Sequence, residues 1–212
     1  VFRLNVLFIG QTGTGKSSTI NRIIGKKYML TSHVECCTKE VSCVEYELGG
    51  SCYLCFCDMP GIGEGREVDK AYVKWYKEMV SKSECVVYLM RTDKRDYRVD
   101  LEMFNRLKRM GAKKKIIVVL NCIDKLPPSN REFPFQLSEA QMANLNEKIS
   151  DVCGVFKLSS DKVVPISANE NYNIKELKQK ISETLLLRLG LQPTTPIKLL
   201  SKIFRNIYFF GK

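Results

Sequence analysis

Apolar positions along the chain follow two rhythms. Leu4 to Ile9, Val86 to Met90 and Ile116 to Leu120 are near-continuous apolar runs rich in β-branched residues. Such runs suit strands buried on both faces of a parallel sheet. Ser17 to Ile24, Asp69 to Val80, Val99 to Met110 and Ser138 to Val152 instead read as helices. A further pair, Val163 to Ile166 and then Ile174 to Leu189, repeats the alternation. Val41 to Leu48 and Cys52 to Cys57, joined by Gly49-Gly50-Ser51, read as one hairpin. The pattern predicts a doubly wound, three-layer α/β fold with one antiparallel edge strand and a ligand at the carboxyl ends of its strands.

Two connections, Lys26 to Glu40 and Asn121 to Leu137, exceed the usual few residues, which points to functional loops. Gly190 to Pro196 is a polar, proline-containing break, dividing a domain over 1–190 from a basic-apolar tail over 191–212 expected to be helical. The 212 residues fit one domain plus that appendage. With 44% hydrophobic and 27% charged residues, the composition is that of an ordinary soluble globule, and no apolar run is long enough to span a bilayer.

The strongest chemical signal is Gly10-Gln-Thr-Gly-Thr-Gly-Lys-Ser17, a full match to G-x-x-x-x-G-K-[ST]. It stands directly after a strand and directly before a helix, where its mechanism requires it. Glycines let the backbone turn tightly, so that successive N–H groups converge on phosphate oxygens. The candidate phosphate set is Gly10, Gly13, Thr14, Gly15, Lys16, Ser17 and Ser18. Lys16 supplies charge to the β- and γ-phosphates, and the Ser17 hydroxyl suits Mg²⁺. Asp58-Met-Pro-Gly61 ends an apolar strand with a second phosphate-end motif. Asp58 can hold Mg²⁺ and Gly61 can offer its N–H to the γ-phosphate.

The order GxxxxGKS, loop threonine, DxPG, Asn121-Cys-Ile-Asp124 and Ser167-Ala168 resembles the Era-like branch of P-loop GTPases over roughly Leu4 to Leu189. Asp58-Met-Pro-Gly-Ile-Gly-Glu-Gly and Arg91-Thr-Asp-Lys-Arg-Asp-Tyr-Arg-Val-Asp look closest to the YfjP-type subfamily. The resemblance implies a P-loop G domain with a six-stranded, mostly parallel sheet, binding GTP or GDP with Mg²⁺. It implies that Thr38 is the switch threonine touching Mg²⁺ and γ-phosphate, and that Lys16, Thr38 and Gly61 serve catalysis. It also implies that Asn121 and Asp124 read guanine, with Ser167 and Ala168 in the last base-contacting loop. A carboxylate can accept two N–H groups from guanine, which adenine does not offer.

Departures from the family pattern matter as much. Cys122 stands where the family usually has a lysine whose stem lies along the base, so weaker affinity with intact specificity is expected. Ile62 follows Gly61 where many GTPases carry the glutamine that orients water, and Gly13 stands where some relatives recruit potassium through asparagine. Slow Mg-dependent turnover and a conformational switch are therefore expected, with Glu64 and Arg66 read mainly as solvated loop charges. The alternative is a GTP-dependent assembly protein that dimerises through its nucleotide face.

The net charge of +11 changes little. Arg91, Lys94, Arg95, Arg98, Arg106, Lys108, Arg109 and Lys113 to Lys115 read as a solvated helix face rather than a nucleic-acid surface. In the tail, residues 197–210 carry an apolar stripe with interspersed basic residues. That suits an interfacial helix on anionic lipid or docking on the domain or a protein effector, and docking is preferred. Nine cysteines, an odd count, and a single histidine, His33, form neither a disulfide framework nor a zinc pattern. Cys52, Cys55 and Cys57 read as small buried hydrophobes in a reducing cytoplasm, with peripheral membrane contact through the tail the other location considered.

Overall fold

The structure, a computed structural model, describes residues 1–26, 41–49, 51–62, 66–128 and 134–190. Thr38, His33, Glu64 and the 191–212 tail lie outside these residues, as does the Arg66 side chain.

Among the described residues six strands form one sheet: β1 (Phe2–Gly10), β2 (Ser42–Gly49), β3 (Cys52–Asp58), β4 (Cys85–Arg91), β5 (Ile116–Asn121) and β6 (Val163–Pro165). Their spatial order is β2-β3-β1-β4-β5-β6. Only the β2–β3 pair is antiparallel; the other pairs are parallel. The helices are α1 (Lys16–Ile24), α2 (Arg66–Ser81), α3 (Arg98–Arg109), α4 (Glu139–Phe156) and α5 (Ile174–Arg188). This is the six-stranded, mostly parallel P-loop G-domain fold expected from the sequence.

Alternate strand residues feed two cores, which is why the strands read as unbroken apolar runs. On one face Leu4, Val6 and Phe8 meet Ile20 and Ile23 of α1 and Leu177 and Ile181 of α5. On the other, Leu7, Ile9 and Tyr88 meet Tyr76 and Val80 of α2, Phe104 and Leu107 of α3 and Val152 and Phe156 of α4. Helix α4 continues beyond Val152 through Gly154 because Phe156 is buried and meets the Phe104 ring edge-on, 5.2 Å between centroids. Its start is a capping box: Ser138 Oγ accepts from the Gln141 N–H, and Gln141 Oε1 accepts from the Ser138 N–H.

Two expectations need correction. Cys57 is not a free apolar filler; it faces Cys43 across the hairpin and is disulfide-bonded to it, with Cα atoms 4.1 Å apart. The pairing comes from hairpin register, which a reading of one strand alone does not reveal. Lys115 is likewise not a solvated charge. Its buried ammonium donates to the Val80 and Ser83 carbonyls at 2.6 and 2.5 Å, capping the end of α2. Among the other basic residues of that set, Arg91 pairs with Asp93, Arg98 with Asp96 and Arg106 with Glu102.

Candidate functional site

The carboxyl ends of β1, β3, β4, β5 and β6 meet at one edge of the sheet, where the fold class places ligands. Gly10 closes β1, and the chain turns back through Gln11 and Thr14. The Thr14 N–H and hydroxyl both donate to the Gln11 carbonyl, at 3.3 and 2.9 Å. Gly13 has φ +77°, and a Cβ there would meet nothing within 4 Å, so the crest of the loop faces open space. Gly15 caps α1 in the left-handed region. The first-turn N–H groups of Lys16, Ser17 and Ser18 precede the bond from Thr19 N–H to Gly15 O, and so point out of the helix end. The Lys16 ammonium, largely buried, donates to the Gly10 and Gln11 carbonyls, both at 3.3 Å.

Beside the loop, the Ser17 hydroxyl donates to Asp58 Oδ2. A hydroxyl and a buried carboxylate converging there form a hard-oxygen donor pair of the kind Mg²⁺ takes. Gly61 approaches the phosphate loop so closely that a Cβ would lie 2.1 Å from Thr12 Oγ1. The next residue, Ile62, is 5% exposed and packs in the core that holds Tyr76. Its backbone pairs with the loop: Ile62 N–H to Gly10 O at 3.3 Å, and Thr12 N–H to Ile62 O at 3.1 Å. The Tyr76 hydroxyl donates to the Pro60 carbonyl from α2, holding the same segment.

At the other end, Asn121 joins three segments. Its Nδ2 donates to Thr14 O at 2.9 Å, and its Oδ1 accepts from Cys122 N at 2.9 Å and Ala168 N at 3.1 Å. Gly15 makes room for this, since a Cβ there would sit 2.4 Å from Asn121 Nδ2. Cys122 adopts φ +66°, opening a 3-10 turn at Ile123–Lys125. Burial pushes its thiol pKa up. The Asp124 carboxylate accepts from Ser167 Oγ at 2.6 Å, and Ser167 Oγ in turn accepts from the Glu170 N–H at 3.1 Å. The Ala168 N–H, in the loop that the resemblance assigns to the base, is donated here to Asn121.

The structure thus brings Gly10, Gly13, Thr14, Gly15, Lys16, Ser17, Ser18, Asp58, Gly61, Asn121, Asp124, Ser167 and Ala168 to one edge, while Thr38 lies outside the described residues. Three supporting contributions were not read from the sequence. Arg22 on α1 donates to the Ala168 and Asn169 carbonyls, each at 2.7 Å, tying the 167–169 loop to the helix that follows the phosphate loop. Buried Asp100 accepts from Gln11 Nε2 at 2.6 Å and from the Tyr88 hydroxyl at 2.9 Å, fixing a phosphate-loop side chain from α3. Burial raises the Asp100 pKa, and the two donors oppose that rise. Thr92 donates through both N–H and hydroxyl to the Asn121 carbonyl. These contacts span tens of residues, so no local pattern announces them.

Comparison with known proteins bears on the family and the fold. A family model described as "50S ribosome-binding GTPase" matches residues 5–122. The chain is 27% identical over 177 residues to the uncharacterized protein YkfA of Escherichia coli (strain K12), covering 84% of this chain and 60% of that one. YfjP, also uncharacterized and from the same organism, is 26% identical over 177 residues with the same coverage. The chain therefore spans about three-fifths of the length of these curated relatives. An Era structure from Aquifex aeolicus, bound to GDP·AlF4−, superposes with TM-score 0.66 at 22% identity, covering 97% of this chain and 66% of that one. At that identity the likeness shows the fold.

Proposed function

The chain belongs to the family described as "50S ribosome-binding GTPase", and from that membership we propose that it is a guanine-nucleotide switch that binds GTP with Mg²⁺ and hydrolyses it slowly. The observation that carries this reading is the double role of Asn121. One side chain bonds to the phosphate loop and to the loop after β6, so phosphate and base would be gripped by a single connected frame.

In this reading residues 1–190 are the GTPase domain, with 191–212 appended. The glycine-rich loop and the start of α1 bind the phosphates through N–H groups, as helix N-termini do for anions. Lys16, held now by loop carbonyls, turns its charge to the β- and γ-phosphates. Ser17 and Asp58, already in contact, would hold Mg²⁺, with Thr38 as the switch threonine that would complete the set. The ion would neutralise charge between the β- and γ-phosphates. Gly61 can offer its N–H to the γ-phosphate because no side chain separates it from the phosphate loop. At the other end Asp124, oriented by Ser167, accepts the guanine N–H groups.

Slow turnover follows from Ile62. Its side chain lies in the core and is apolar, so it neither faces nor orients an attacking water. Switching follows from the same place, because the segment after Asp58 is tied to the phosphate loop by the two Ile62 backbone bonds that a γ-phosphate would contest.

Phosphate release from GTP, measured with and without Mg²⁺ over a range of protein concentrations, tests the proposal. Slow, Mg-dependent release that Lys16→Ala abolishes supports it. Fast release by the dilute protein contradicts the slow-switch reading, and no release even with Mg²⁺ present contradicts the GTPase reading. A rate per molecule that climbs with protein concentration supports the assembly alternative.

A further inference from the structure

Arg91 ends β4 directly beside Asn121 in the parallel register of β4 and β5, so it emerges at the base end of the site. Its guanidinium is held by Asp93 through Nε and Nη2, at 2.9 and 2.5 Å. Nη1 reaches the Gly13 carbonyl on the phosphate loop at 3.4 Å, the long end of hydrogen bonding. Cys122 and Asp124 are close enough for their charged forms to interact with Arg91. The side chain is about a quarter exposed, so a planar cation spans from the end of β4, beside Asn121, to the Gly13 carbonyl. A ligand with phosphates on Gly13–Ser17 and a base edge at Asp124 must cross the same span. The residue at position 122, whose longer counterpart would line that path, is here a short cysteine.

We propose that Arg91 is a nucleotide-binding residue whose guanidinium forms the wall of the base slot that Cys122 is too short to supply. The inference rests on the guanine-nucleotide reading given above. Arginine suits the task better than lysine because its planar group stacks on an aromatic base while keeping in-plane donors for Asp93 and Gly13. Asp93 fixes the plane before any ligand arrives, so little side-chain freedom is lost on binding. The contact reads the face of the base and not its edge, so it adds affinity without changing which base is preferred.

The test is binding of GDP and of guanosine, which lacks phosphates, by calorimetry with the wild-type protein, Arg91→Ala, Arg91→Lys and the double variant Arg91→Ala with Cys122→Lys. Expected for Arg91→Ala is an about tenfold loss of affinity for both ligands, the scale of a partly desolvated cation–π contact. Arg91→Lys is expected to fall short of wild type, and Cys122→Lys in the alanine background to recover affinity. Unchanged GDP binding by Arg91→Ala overturns the proposal. So does a loss confined to GDP and repaired by lysine, since that assigns Arg91 to phosphate charge alone. Wild-type protein that binds no guanine ligand overturns the GTPase reading itself, which separates the two failures. Thermal melts of each variant identify any loss caused by unfolding, and Arg91→Lys remains informative where the alanine variant melts early.

Discussion

The phosphate end of the site is one uninterrupted segment, Gly10 to Ser18, joined by Asp58 at the end of the neighbouring strand and Gly61 just beyond it. The base end is assembled from Asn121 and Asp124 on one connection and Ser167 and Ala168 on another, 43 residues apart for the Asp124–Ser167 bond. The first presents mainly backbone N–H groups in a conformation that glycine makes accessible. The second depends on side chains that reach between loops, with Asn121 and Arg22 as the links. Backbone recognition is written in local spacing, whereas side-chain stapling is written in tertiary contacts. The difference also predicts which end fails when a single side chain is removed.

The largest effect is expected at the joint between the two ends. Asn121→Ala leaves a buried carbonyl and two N–H groups without their partner, at about 1–3 kcal/mol for each buried group left unmet. A loss of about 3 kcal/mol in urea denaturation is expected, together with loss of GDP binding. A variant as stable as wild type would mean that the two ends are held independently. Next comes Ile62→Gln. Placing an amide in that core site costs about 2 kcal/mol and is expected to leave hydrolysis no faster, because the side chain points into the core. Faster phosphate release would show that position 62 can face the nucleotide.

Arg22→Ala is a smaller and more selective perturbation. Losing two charge-assisted bonds to the Ala168 and Asn169 carbonyls should cost about 1 kcal/mol and weaken GDP roughly fivefold. Pyrophosphate, which has no base, should bind unchanged. Equal losses for both ligands would show that Arg22 acts through α1 on the phosphate end.

The smallest effect separates the ends by pH. Asp93, beside Arg91, has a lowered pKa because the guanidinium hydrogen-bonds its charged form. Its contribution to stability is present above the ordinary carboxylate value and lost as pH falls through the lowered native one. Asp100, behind Gln11, has a raised pKa because it is buried. Its contribution is present below the ordinary value and lost as pH rises through the native one. Denaturation of Asp93→Asn and Asp100→Asn across the acid range should therefore show differences from wild type that change with pH in opposite directions. Parallel trends would contradict the opposite placement of the two carboxylates.

Much of this was legible from residues alone. Doubly buried strands announced themselves as runs such as Ile116 to Leu120, and the helix read over Ser17 to Ile24 is α1, Lys16–Ile24. The phosphate loop needed only its glycines and their place between strand and helix. Helix α4 read short, ending at Val152, because the contact that carries it on, Phe156 against Phe104, has its partner in another element. The register that pairs Cys43 with Cys57, the Arg22 and Asp100 contacts and the reach of Arg91 to Gly13 were not legible for the same reason. Each depends on which strands and loops become neighbours, and position along the chain does not state that.

The central claim is that a connected frame selects guanine. Competition of GTP against ATP for the wild-type protein and for Asp124→Ala tests it most directly. The account predicts a wild-type preference for GTP of at least about a hundredfold, falling to within about tenfold in the variant as the partner for the guanine N–H groups is lost. Equal binding of both nucleotides by the wild-type protein, or a preference that Asp124→Ala leaves intact, would contradict it.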